Sequence, residues 1–179
     1  IGSYRISDMV LGVMANPFYI DTGFSLSEIA TVTKVFGFVV TLAGAALGGV
    51  AVARYGAARP LVAGAVLLAG SSVVFIGRAG GGPEMGGLVA AICADNLAAG
   101  FVGTIFIAYL SGLTNVAYTA TQYALFTSLM SLPGRLLSGF SGQIVEMSGW
   151  VNFFIYTTAA GIPAILLAML VVRRQRNTA

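Results

Sequence analysis

Six predominantly apolar runs follow one another along the chain, with only short polar connections between them. They lie at roughly 4–20, 28–53, 61–77, 86–110, 117–146 and 150–172, and a bilayer-spanning helix needs about 20 such residues. In hydrocarbon every backbone polar group must find its partner inside the protein, which helices and closed barrels alone achieve. Runs of this length therefore restrict the chain to a bundle of membrane helices. Composition agrees: 58% of the 179 residues are hydrophobic and 8% are charged, with a mean hydropathy of +0.92, where a soluble domain is about 25% charged. The expected fold class is an all-α membrane protein, with residues 1–179 forming one six-helix transmembrane bundle in the lipid bilayer.

The connections carry the chemistry of helix ends. Residues 21–28 read DTGFSLSE, and Ser25 followed by Glu28 three residues later is a capping box. RYGAARP at 54–60 sets Gly56 after one helix and Pro60 at the start of the next. RAGGGPEM (78–85) is Gly-rich, SGLTNV (111–116) is short and polar, and a tight turn is expected near Gly149. No connection is long enough to be a domain. Six spans bring both ends to one side, which then holds Arg5, Arg54, Arg59, Arg173, Arg174 and Arg176, against Arg78 on the other. Excess Lys and Arg marks the cytoplasmic face, so both ends are expected in the cytoplasm. The chain opens at Ile1 with no basic stretch before a short apolar run, so no signal peptide is indicated and a part of something larger is expected.

The chain has no histidine, which removes His-based metal sites, Ser-His-Asp and Cys-His catalysis, and histidine proton relays. Its one cysteine, Cys93, cannot form an intrachain disulfide and reads as a small hydrophobe. An intramembrane aspartyl protease would need two facing aspartates with a GxGD-type loop, and no GxGD occurs. An enzyme is not expected, and neither are a metal or a nucleic-acid partner. A weak internal repeat is visible: Gly49–Gly56 and Gly142–Gly149 share a G-x6-G pattern, and Asp8 and Asp95 each fall in the first span of a triplet. Three plus three spans, necessarily inverted, is a transporter signature.

Interior charges occur in the first, second, fourth and fifth runs: Asp8, Lys34, Asp95, and Arg135 with Glu146 nearby. A mid-bilayer charge costs about 2.5–3.5 kcal/mol on insertion scales, so such groups face each other or water. These four spans are expected to line an interior, with the third and sixth outside towards lipid. At 1.5 Å per residue, Asp95, Arg135 and Lys34 fall about 14, 16 and 9 Å from the outer ends of their spans, with Asp8 nearer the cytoplasm. Two cations against one carboxylate in that layer suit an anionic ligand, and Asn96, Gln122 and Tyr123 add uncharged donors and acceptors. Pro133-Gly134-Arg135 then reads as a bend carrying a cation, with Asn16-Pro17 as a second break. The structural counterparts are plain. Arg135 pairs with Asp95 or Glu146, Lys34 snorkels, Asp8 pairs with Arg5, Asn96 and Gln122 bond between helices, and Pro133 is a static kink. The stripe Thr33, Gly37, Val40, Gly44, Gly48 suits close helix packing.

RYGAAR after Gly49 resembles the loop motif G-x3-D-R-x-G-R-R of the major facilitator superfamily, with Gly49, Arg54, Gly56 and Arg59 matching it loosely. Ala53 stands where the motif has an acid, so the motif's salt bridge lacks its carboxylate here. TKVFG (33–37), DNLAAG (95–100), ATQYAL (120–125) and LPGRLLSGFSGQIVE (132–146) resemble the C-terminal half of AmpG-type muropeptide permeases, in order and over nearly the whole chain. The acetyl-coenzyme A transporters are relatives of these. The resemblance implies a proton-coupled importer of anhydromuropeptides in the bacterial inner membrane, serving cell-wall recycling. It implies a partner N-terminal six-helix half absent from this chain, a glycopeptide substrate, and a proton gradient in place of any cofactor. The family pattern falls on Lys34, Asp95, Asn96, Gln122 and Arg135; with Tyr123 beside them and Asp8 in the first span, substrate binding is expected at Lys34, Asn96, Gln122, Tyr123 and Arg135, proton coupling at Asp95 and Asp8, and gating at the loop motif's Gly49, Arg54, Gly56 and Arg59. Alternatives on the same fold are an importer of another anionic solute, such as an acyl-coenzyme A, a sugar phosphate or a drug, or a non-transporting receptor.

Overall fold

The computed structural model describes residues 4–79, 84–113 and 119–178, and these are helical apart from the turns that join them. Helix α1 spans Ile6–Asp21. Thr22 ends it by donating its hydroxyl back to the carbonyls of Phe18 and Tyr19. Gly23 then turns the chain at φ 98°, a conformation that needs no Cβ. The capping box expected at Ser25 is formed: Ser25 Oγ accepts from the Glu28 amide at 3.3 Å, and the Glu28 carboxylate accepts from the Ser25 amide at 2.9 Å. It starts α2 (Leu26–Val32), which runs through a π turn (Thr33–Gly37) into α3 (Phe38–Tyr55) without a break. Gly56, at φ 74°, closes α3, and α4 (Arg59–Arg78) begins with Pro60 in its first turn. Then come α5 (Met85–Leu113), α6 (Thr119–Ser138) and α7 (Ser141–Thr178), the last broken at Gly149 with φ 78° and ψ 169°. Among the described residues, four rods are long and apolar enough to cross a membrane: Leu26–Tyr55, Arg59–Arg78, Met85–Leu113 and Ser141–Arg174.

The break expected at Pro133 lies elsewhere. Helix α6 continues through Pro133 and Gly134 to Ser138, and α1 likewise continues through Pro17. Proline removes one amide donor but holds a helical φ, and surrounding groups in a membrane bundle can absorb that loss. The interruption comes at Gly139–Phe140. There Ser138 Oγ takes the Gly134 carbonyl at 2.7 Å, and the Phe140 amide tightens onto the Leu137 carbonyl at 3.1 Å.

The helices pack as a row of neighbours: α3 on α5, α5 on α4, α4 on α7, α7 on α1, and α1 on α6. The α3–α5 contact is built from absent side chains. A Cβ on Gly44 would run into the Leu97 carbonyl, one on Gly100 into the Thr41 carbonyl, and one on Gly48 would sit 2.7 Å from the Phe101 carbonyl. The small-residue stripe of the second run is thus a packing face, as its spacing predicts. Two apolar cores hold the rest. One is aromatic, with Phe18, Phe75, Trp150, Phe153 and Phe154 linked by a chain of ring contacts, the Phe18 and Phe154 rings 4.9 Å apart and edge-on. Each well-set ring pair is worth about 0.5–1.5 kcal/mol beyond its buried area. The other joins Tyr4, Leu61, Leu68, Val102, Phe106 and Met130. The row corrects the expectation that the third span lies outside. Helix α4 sits between α5 and α7, supplies both cores, and is the most buried of the four long rods, while Leu26–Tyr55 is the least. The physical reason is that this bundle's core is apolar and aromatic, so charge marks its open faces and not its centre.

Candidate functional site

Helices α1 and α6 approach closely because Gly134 is buried against Met9; a Cβ there would collide with the Met9 sulfur. The groove beside this contact has a volume of about 590 Å³. One wall is α1, with Asp8, Gly12 and Val13, and the other is the end of α6, with Arg135 and Ser138. Asp8 is already engaged, accepting from Arg5 through Nε at 3.0 Å and Nη2 at 2.5 Å. Arg135 is exposed and makes no ion pair among the described residues. The pairings considered with Asp95 or Glu146 are therefore not formed. The groove thus presents one guanidinium, Arg135, and one carboxylate, Asp8, whose charge Arg5 already offsets. A guanidinium with free donors in an apolar setting is suited to bidentate capture of a carboxylate or phosphate.

The structure gathers the other expected residues unevenly. Asp95 is half-buried on α5, within electrostatic reach of Asp8 and of Tyr19, but paired with neither Lys34 nor Arg135. The layer of Lys34, Asp95 and Arg135 expected from depth alone is thus not a set of mutual pairs, and Asp8, expected nearer the cytoplasm, shares a groove with Arg135. The same count puts Asp8 about 18 Å from the outer end of its span, close to Arg135, so the shared groove follows from which faces of α1 and α6 meet. Lys34 is exposed on the π turn. Asn96 is used within the bundle: its amide donates to the Ile92 carbonyl at 2.8 Å, and its oxygen accepts from Thr41 Oγ1 at 3.0 Å, tying α5 to α3. Tyr123 is half-buried against the second core, and Gln122 is half-buried beside it on α6. Arg54, Gly56 and Arg59 line a second groove of about 640 Å³ at the α3–α4 turn, whereas Gly49 lies outside it.

Several fastenings were not read from the sequence. Ser7 donates to the Thr157 carbonyl at 2.8 Å, Tyr4 to the Leu61 carbonyl at 2.6 Å, and Trp150 Nε1 to Asp21 at 3.1 Å. The π turn at TKVFG has no local sequence signal, although such turns occur frequently at functional sites.

No family model matches the chain. It is 34% identical over 166 residues to a protein of Rickettsia conorii provisionally named transporter AmpG 4, covering 93% of this chain and 40% of that protein. A protein of the same name from Rickettsia felis matches with the same identity and coverage, and AmpG 1 of Rickettsia bellii is 31% identical with the same coverage. The chain thus spans about 40% of the length of the curated relatives it matches. Its helices and these likenesses make it a multi-pass membrane protein. Along almost its whole length, the chain is a homologue of proteins named as AmpG transporters.

Proposed function

We propose that this chain is the C-terminal six-helix bundle of a twelve-span major facilitator transporter, which uses the proton gradient to import anhydromuropeptides across the bacterial inner membrane. The observation that carries the reading is the groove between α1 and α6, where Arg135 stands without a carboxylate partner among the described residues, opposite an Asp8 already paired with Arg5. A muropeptide offers peptide carboxylates to that arginine, and its sugar hydroxyls suit Gln122 and Tyr123. Lys34, exposed on the least buried rod, is a second cation available to substrate or to the absent N-terminal half. Asp95 and Asp8 are the proton-coupling carboxylates in this reading. Substrate bound at Arg135 faces Asp8 across the groove, which ties the binding site to one of these carboxylates.

The packing order supports a 3+3 inverted repeat. Exchanging α1 with α5, α3 with α6 and α4 with α7 turns the order α3, α5, α4, α7, α1, α6 into its own reverse. The arginine bias supports cytoplasmic termini. The groove's charge also favours other anionic solutes, so the second reading is a sugar phosphate or acyl-coenzyme A on the same fold.

The test is proton-gradient-driven uptake of a labelled anhydromuropeptide by the full-length protein, with Arg135→Gln beside it. The expected outcome is uptake by wild type, competed by unlabelled muropeptide, and a loss of roughly thirtyfold or more in the well-expressed variant, since losing a charged hydrogen-bond partner costs about 2–5 kcal/mol. Uptake competed only by sugar phosphate or acyl-coenzyme A transfers the proposal to that substrate. An absence of counterflow for any of these solutes overturns transport itself.

A further inference from the structure

The groove at the α3–α4 turn is not explained by substrate binding. It is open, about 640 Å³ in volume, and bears Arg54 and Arg59, both exposed and neither ion-paired among the described residues. The acid that would neutralise such a loop is absent, because position 53 is alanine. Tyr109 on α5 lines this groove and also lines a second, shallow slot of about 60 Å³ against α7, a surface depression along which a chain can lie. That slot is apolar. Its floor is Leu61, Ala164 and Ala168, all buried, and its rim includes Leu167, which is exposed. The small alanines one turn apart on α7 leave the depression that a larger residue would fill. Val171 lines the slot and its neighbour Val172 lines the basic groove, so the two meet at Tyr109 and the end of α7.

A pair of uncompensated arginines at the end of a membrane bundle, opening into an apolar furrow on its flank, has the polarity of one amphiphile. We propose that it is a binding site for an anionic phospholipid, with the headgroup phosphate on Arg54 and Arg59 and an acyl chain in the slot beside Leu61 and Leu167. Basic pockets between helices at the cytoplasmic side of bundles hold such headgroups, each basic residue contributing about 1 kcal/mol. The site would couple lipid to the turn that joins α3 and α4. It does not depend on what the transporter carries.

The experiment uses the full-length protein in detergent micelles. Phosphatidylglycerol, phosphatidylcholine, or inorganic phosphate with glycerol phosphate is titrated in, and the thermal midpoint and lipid affinity are read. The expected result is a stabilising shift with phosphatidylglycerol that the zwitterionic lipid and the soluble phosphates do not reproduce. Arg54→Gln/Arg59→Gln should weaken lipid binding by roughly thirtyfold, the loss of two basic residues. Leu167→Trp, at an exposed rim position, should weaken it by covering the slot while leaving both arginines, and so tests the proposal even if the double variant does not fold. An equal shift with phosphatidylcholine, an equal shift with soluble phosphate, or phosphatidylglycerol binding unchanged in either variant overturns the proposal.

Discussion

Arg135 and Gly134 are adjacent and do opposite things. Gly134 is buried and lets α1 close on α6, while Arg135 is exposed to the groove that this closure frames. The Pro-Gly-Arg sequence raised the expectation of a bend with a cation in it. The structure gives the glycine the role of helix contact and leaves the helix running on for another turn. A side chain at 134 must displace Met9, and overpacking of this kind costs about 1–3 kcal/mol. Gly134→Val is therefore expected to lower the thermal midpoint of the purified protein. Because the obstruction is a side chain and not backbone, Met9→Ala should recover part of the loss, seen as a positive coupling in a double-mutant cycle. Strictly additive effects of the two changes would show that the contact does not set the α1–α6 distance. Asn96 gives the complementary case. Its amide is spent between α3 and α5, so Asn96→Ala should reduce stability by about 0.6 kcal/mol, the average for interhelical bonds in a membrane.

At the level of elements, what could be read locally was read. The Ser25–Glu28 box, the Gly56 turn and the Gly149 break each depend on a few consecutive residues whose backbone needs are unmistakable. The π turn and the Gly139–Phe140 interruption were not legible, because each reflects competition between hydrogen bonds that propensity does not rank. The α3–α5 interface lies between these cases. Its glycine spacing predicts close packing, but its partner helix is named only by the fold. Here the obstruction is backbone. Gly100→Ala would press on the Thr41 carbonyl and Gly44→Ala on the Leu97 carbonyl, and neither can swing aside. Both should destabilise strongly and reduce the yield of folded protein. Gly103→Ala, one turn along the same helix, meets nothing within 4 Å. It should be neutral or stabilising by up to about 1 kcal/mol, from helix propensity. Melting curves of the three variants check the contrast, and equal effects at all three positions would mean that α3 and α5 are not in backbone contact.

For the whole molecule, the packing order and the arginine distribution make a topological prediction. Ser27, at the start of α2, and Arg173, near the end of α7, are both exposed. In a Cys93→Ser background, Ser27→Cys should react with an impermeant thiol reagent from outside intact cells, and Arg173→Cys only after the membrane is opened. Labelling of both from one side would reverse or abolish the proposed orientation.

The sequence by itself determined that the chain is helical and multi-pass in a membrane, that caps and turns fall at Ser25–Glu28, Gly56 and Gly149, and which residues are costly enough in lipid to need a reason. Those properties follow from hydropathy, backbone hydrogen bonding and caps, all of which act within a few residues. Only the tertiary structure decided that α4 is central, that Asp8 is held by Arg5 and shares a groove with Arg135, that Asn96 is a strut, and that Arg54 and Arg59 open onto an apolar slot. These depend on which faces meet and how far one helix is staggered against the next. Stagger is set by packing between segments distant in the chain, such as Met9 against Gly134 or Trp150 against Asp21, and no local pattern records it.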